Sequence, residues 1–186
     1  MEKFKKVYVW LSGILVAFLA TYLTAVLTTV VPPPKDLLCK AKLGFCPAPI
    51  ILTFSATDTD RIVDRDGVGQ GPGEQQIGML HNRVVPDASE RRNSVTYQVN
   101  DLPAGNYRLR VLYAAASSRP VDILVNNEIV QEGALHEPTG GWNNDDRRWS
   151  PSIEVKLKEG ANRILLRRES VFPHLSKIEL TQVANE

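Results

Sequence analysis

Residues 7–31, VYVWLSGILVAFLATYLTAVLTTVV, run for 25 positions without one charged side chain. As a helix this run is about 37 Å long, more than the ~30 Å hydrocarbon core of a bilayer. Its polar residues are mainly Thr21, Thr24, Thr28 and Thr29, whose hydroxyls a helix can satisfy on its own carbonyls. Tyr8 and Trp10 stand near one end, where aromatic rings suit the membrane interface. Lys3, Lys5 and Lys6 precede the run and bias the N-terminus towards the cytoplasm. The expectation is a signal anchor over residues 7–31, a cytoplasmic stretch over 1–6, and everything beyond on the periplasmic or extracellular side. A cleaved signal peptide is the competing reading. Its apolar core is normally 7–15 residues, and no small-x-small site follows this longer run. A lipoprotein anchored through Cys39 lacks the small residues before it, since Leu37 and Leu38 stand there.

Residues 32–49 form a neck. Pro32, Pro33 and Pro34 end the helix and favour an extended spacer. Cys39 and Cys46 follow, the only two cysteines of the chain. Outside the cytoplasm they are expected as a local disulfide, with free thiols or bridging between chains as the alternatives. Two cysteines with no nearby histidine supply too few ligands for a structural zinc.

Beyond the apolar run the chain is nearly neutral. Of the 22 Lys and Arg three precede the apolar run, and of the 21 Asp and Glu one does. With a net charge of +1 overall, no basic field marks a nucleic-acid partner. The hydrophobic pattern here has period two: Val95, Tyr97 and Val99; Tyr107, Leu109, Val111 and Tyr113; Ile153, Val155 and Leu157; Ile178 and Leu180. Further strands are expected at 50–55, 121–126, 129–131 and 162–168. Turn signals separate them at Pro103–Asn106, Asn126-Asn127 and Glu159–Asn162. Eight or nine short antiparallel strands over residues 50–182, with a four-residue tail at 183–186, predict an all-β sandwich. Residues 57–73 and 136–151 break the alternation and are expected as long loops. The arginines at 91, 92, 108, 110, 163, 167 and 168 are expected on outward strand faces.

The order of the segments carries a resemblance. LPAGNYRLRVLYAAASSRPVDILVNNEIV (Leu102–Val130), TGGW (Thr139–Trp142), SIEVKLKEGANRILL (Ser152–Leu166) and LSKIELT (Leu175–Thr181) follow one another as in carbohydrate-binding modules of families 6 and 35. The resemblance covers roughly residues 94–181. It implies a galactose-binding-like jelly-roll sandwich that binds glycans without catalysis, often beside a calcium ion. The sequence departs from the family pattern in the first strand, where Ile50–Thr57 holds no Glu. In the last strand Ser176 stands for an Asp, and His174 falls at the position of a sugar-binding Asn. The expectation is therefore no cofactor, with calcium as an alternative.

Trp142 and Trp149 are the candidate ligand residues, because a flat indole stacks on the apolar side of a pyranose. Asn143, Asn144 and Asp145 beside them are candidate partners for hydroxyls, and His174 joins them through the resemblance. The competing reading of Trp142 is a plug over the edge of the sandwich. Arg147 and Arg148 pair with an acidic sugar or with Asp145 and Asp146. Asp58, Asp60, Asp64 and Asp66 are weak calcium candidates, since Ile62 breaks the spacing of an EF-hand loop. His81, His136 and His174 lack metal-ligand spacing and are expected as surface or half-buried residues. No serine elbow, phosphate loop or H-E-x-x-H motif points to catalysis. The two functions expected are a membrane-tethered glycan-binding module or an accessory subunit of a larger membrane assembly.

Overall fold

A computed structural model describes residues 48–70, 74–82 and 93–183. The apolar run 7–31, both cysteines, Arg91 and Arg92 lie outside the described residues. Among the described residues no helix is long and apolar enough to cross a membrane.

Period two is realised as strands wherever it is sustained. In the first sheet β10 (Ile153–Leu157), β6 (Gly105–Ala114), β12 (His174–Gln182), β4 (Leu80–Asn82) and β3 (Val68–Gln70) lie in that order. Two short strands add to its flanks: β1 (Ile51–Ser55) pairs with β12, and β9 (Arg148–Trp149) pairs with β6. The second sheet runs β2 (Ile62–Asp66), β5 (Asn93–Val99), β11 (Asn162–Arg168), β7 (Val121–Val125) and β8 (Glu128–Ala134). Every pairing is antiparallel. Between the sheets Val95, Tyr97 and Val99 meet Tyr107, Leu109, Val111, Ile164, Leu166, Ile178 and Leu180, all fully buried in one apolar core. Burial of such side chains is the main term that holds the two sheets face to face. The buried Tyr97 hydroxyl donates to the Ala56 carbonyl at 2.8 Å, and burial pushes its ionisation upwards.

Two turns read from the sequence follow from their residue types. Asn126 and Asn127 both adopt positive φ, +52° and +72°, which is the backbone that a two-residue hairpin between β7 and β8 needs. Asn162 is fully buried at the start of β11 and organises the preceding turn. Its Oδ1 accepts from the Lys158 N–H and the Asn126 amide, while its Nδ2 donates to the carbonyls of Lys158 and Gly160.

Both expected long loops contain strands. Residues 57–73 hold β2 and β3, and residues 136–151 hold a 3-10 turn at Asn144–Asp146 followed by β9. These strands are two to five residues long. β2 also carries charges on an exposed edge, so alternation is absent and the open edges of β5, β6 and β4 recruit them. The outward arginines include two paired ones: Arg110 reaches Glu179 at 2.6 Å, and Arg167 lies 3.7 Å from Asp122.

Candidate ligand-binding site

The TGGW stretch is pinned to the end of β6. The Thr139 N–H donates to the Ala115 carbonyl at 2.7 Å, and the Ala115 N–H donates back to the Thr139 hydroxyl at 2.8 Å. Gly140 has φ +107°, and a Cβ on Gly141 would lie 2.1 Å from an Asp146 carboxylate oxygen. That carboxylate accepts from the Asn143 N–H at 2.9 Å, so the close approach that only glycine permits also closes the following turn. The result is one fixed position for Trp142, half-buried and packed against the core.

Around Trp142 the contacts form a closed circuit. Its carbonyl accepts from Nδ1 of His174 at 2.8 Å, and its indole lies 5.1 Å from the His174 ring. The His174 ring lies 4.7 Å from that of His81. Nδ1 of His81 donates to the Asn82 carbonyl, Asn82 Oδ1 accepts from the Phe172 N–H, and the Phe172 carbonyl accepts from Arg119 at 2.8 Å. The Arg119 guanidinium then covers the indole of Trp142, 3.7 Å from its centre. Three buried polar atoms at or next to this circuit have no hydrogen-bond partner: Nε2 of His81, Nδ2 of Asn82 and Oδ1 of Asn144. Such orphans mark where a polar ligand group or ordered water belongs.

Of the six expected ligand residues, the structure brings Trp142 and His174 together, and the buried Oδ1 of Asn144 follows two residues on. The side chains of Asn143 and Asp145 are exposed. Trp149 has partners of its own on β6. It pairs with Leu112 on β9, is 37% exposed, and carries Arg110 5.0 Å above its ring on the outer face of the first sheet. Arg147 and Arg148 turn to carbonyls rather than towards Asp145 and Asp146: Arg147 donates to Asn144 O and to the Ser176 hydroxyl, Arg148 to Asp145 O and Arg147 O. Sequence reasoning missed Arg119 altogether. It expected His81 at or near the surface, whereas His81 is buried, because a strand of three residues gives no alternation to read.

The residues present do not fit calcium. β1 holds no carboxylate, and an arginine, not a carboxylate, stands against Ser176 at 3.1 Å. Asp58 is turned to Arg61, while Asp64 and Asp66 lie on the exposed edge strand β2. Among the described residues no group of three or more His, Cys, Asp or Glu is placed to hold a metal. Two concavities, about 310 Å³ beside Pro120, Arg167 and Arg168 and about 160 Å³ beside Tyr113, Leu135 and His136, do not take in Trp142. The aromatic cluster is the better candidate, because neither concavity offers an indole on which a pyranose can stack.

Other solved structures share this architecture. A family 35 carbohydrate-binding module from Clostridium thermocellum superposes with a TM-score of 0.56 at 20% identity, covering 72% of this chain and 99% of its own. The fold is that of the family 35 and family 6 carbohydrate-binding modules. A second family 35 module, solved in complex with a glucuronic acid-containing disaccharide, matches with a TM-score of 0.54 at 15% identity over 73% of this chain and 99% of its own. The C-terminal family 6 module of LamC, a laminarinase from Zobellia galactanivorans, matches with a TM-score of 0.53 at 19% identity over 72% of this chain and all of its own. No protein-family model matches the sequence, nor does any curated protein.

In this module fold His174 titrates well below its ordinary value of 6.5, at about 4. Burial is the main cause. The bond to the Trp142 carbonyl works against it, and the charges of His81 and Arg119 add to it. A folded pKa below the unfolded one means that the unfolded chain binds more protons in between. Stability is therefore complete above about pH 6.5 and falls as the pH drops towards 4. A loss of about 1–2 kcal/mol is expected, the shift being discounted because the ring keeps part of its solvent screening. His174→Gln should flatten this slope in a denaturation series. An equal slope in the variant would assign it elsewhere.

Proposed function

We propose that the protein is a single-pass, membrane-anchored and non-catalytic module whose sandwich binds a cell-envelope glycan outside the cytoplasm. The observation that carries this reading is Trp142, fixed by Thr139, Gly140 and Gly141 beside orphaned buried polar atoms on a carbohydrate-binding-module fold. An indole face and unpaired polar groups are what a pyranose ring and its hydroxyls require. The covering Arg119 must move aside, at the loss of a cation–π contact of about 1–2 kcal/mol. The site is thus a weak one, and a membrane tether compensates by raising the local concentration of site and polymer.

The test is affinity electrophoresis or a glycan array with the full chain in nanodiscs. Saturable retention on an envelope polysaccharide is expected, and Arg119→Ala should strengthen retention on neutral polymers. No retention on any glycan by folded protein would overturn the reading. Protease added to intact cells or spheroplasts is expected to shave the sandwich. Full protection without detergent would reverse the topology.

The second reading, an accessory subunit, is favoured by the outer face of the first sheet, where exposed Trp149 lies with Leu112 and Arg110. Stoichiometric co-purification with another membrane protein, lost in Trp149→Ala, would select it.

A further inference from the structure

The register of β4 against β12 pairs Leu80 with Leu175, which sets His81 across from His174 on adjacent strands. Their ring centres are 4.7 Å apart and their planes 35° from parallel. In both rings Nδ1 meets a main-chain oxygen, Asn82 O at 3.0 Å and Trp142 O at 2.8 Å. A carbonyl can only accept, so both rings carry their proton on Nδ1 and keep a lone pair on Nε2. That is how metal-ligating imidazoles are oriented, with the far nitrogen tied to a carbonyl and the near one free. His81 is only 7% exposed, and its Nε2 has no hydrogen-bond partner. The spacing also suits a shared ion. A metal–nitrogen bond of about 2.0–2.1 Å sets each ring centre about 3 Å from the ion, so a near-tetrahedral angle separates the centres by about 5 Å.

We propose that His81 and His174 form a two-imidazole site for a borderline divalent transition metal, of the Zn²⁺, Ni²⁺ or Cu²⁺ class. Imidazole nitrogen selects these ions over calcium and magnesium, which prefer oxygen. Two ligands leave the remaining positions to water or to oxygen atoms of a bound molecule. Arg119, whose charge sits over the neighbouring Trp142, opposes the cation and limits its affinity.

The experiment is equilibrium dialysis of the full chain in nanodiscs against Zn²⁺ and Ni²⁺, with Cys39→Ser and Cys46→Ser to remove thiol ligands. One ion per chain is expected, not displaced by excess Ca²⁺. His174→Gln and His81→Gln should each weaken binding at least about tenfold, and Arg119→Gln should strengthen it several-fold. Should His81→Gln fail to fold, His174→Gln carries the test, since that ring is partly exposed. The electron paramagnetic resonance spectrum of the Cu²⁺ form should show two equatorial nitrogens in the unsubstituted chain. No saturable binding by folded protein, binding that survives His174→Gln, or weaker binding in Arg119→Gln would each overturn the site.

Discussion

Trp142→Ala is expected to lower the stability of the sandwich by about 2–3 kcal/mol and to abolish glycan retention, whereas Trp149→Ala should cost less than about 1 kcal/mol. The difference follows from what the two rings touch. Trp142 packs on the core with Arg119 over its face and the His174 ring beside it, so its removal opens a gap and takes the cation–π partner from a half-buried guanidinium. Trp149 lies on an exposed face with Arg110, which keeps its partner Glu179 when the indole is gone. Denaturant midpoints of both variants, read with unchanged m-values, measure the comparison. Equal losses in the two would contradict the assignment of Trp142 to the core-facing circuit. Trp142→Phe separates the two roles. It fills most of the space while offering a smaller stacking face, so retention should fall further than stability.

Asn162→Ala should destabilise the domain by about 2–4 kcal/mol, as much as a large core truncation, although only a small polar side chain is lost. Four groups lose their partner together: the N–H and carbonyl of Lys158, the carbonyl of Gly160 and the side-chain amide of Asn126. A buried polar group left unpaired costs about 1–3 kcal/mol, more than the net gain from making its bond. Asn162→Asp distinguishes donor from acceptor. It keeps an oxygen for Lys158 N–H, loses both donated bonds and buries a charge, so it should be no better than the alanine. A midpoint within about 0.5 kcal/mol of the unsubstituted protein would show that water replaces these bonds.

The limits of sequence reading fall at identifiable places. β5, β6, β10, β11 and β12 were visible because one face of each strand is in the core and the other is not, which writes itself as alternation. The same logic leaves β2, β3, β4 and β9 invisible. Strands of two to five residues are too short to display an alternation, and their pairing is decided by which edge lies beside them. Trp142 was legible as part of TGGW, and Asn126-Asn127 as a hairpin turn, since both depend on local backbone demands. Trp149, seven positions further on in the same segment, was the second stacking candidate. Pairing with β6 turned it onto the outer face of the first sheet.

By itself the sequence determined the two-sheet architecture of the domain over residues 50–182 and the position of its principal indole. Burial alternates with the pleat, and a sharp loop admits few residue types. The tertiary structure alone decided what stands around that indole. Arg119, His81 and His174 come from three separate stretches of chain, and they meet only because β4 lies in register with β12 and the loop after β6 folds back over Phe172. No local pattern encodes such a meeting, because the forces that assemble it act between residues far apart in sequence.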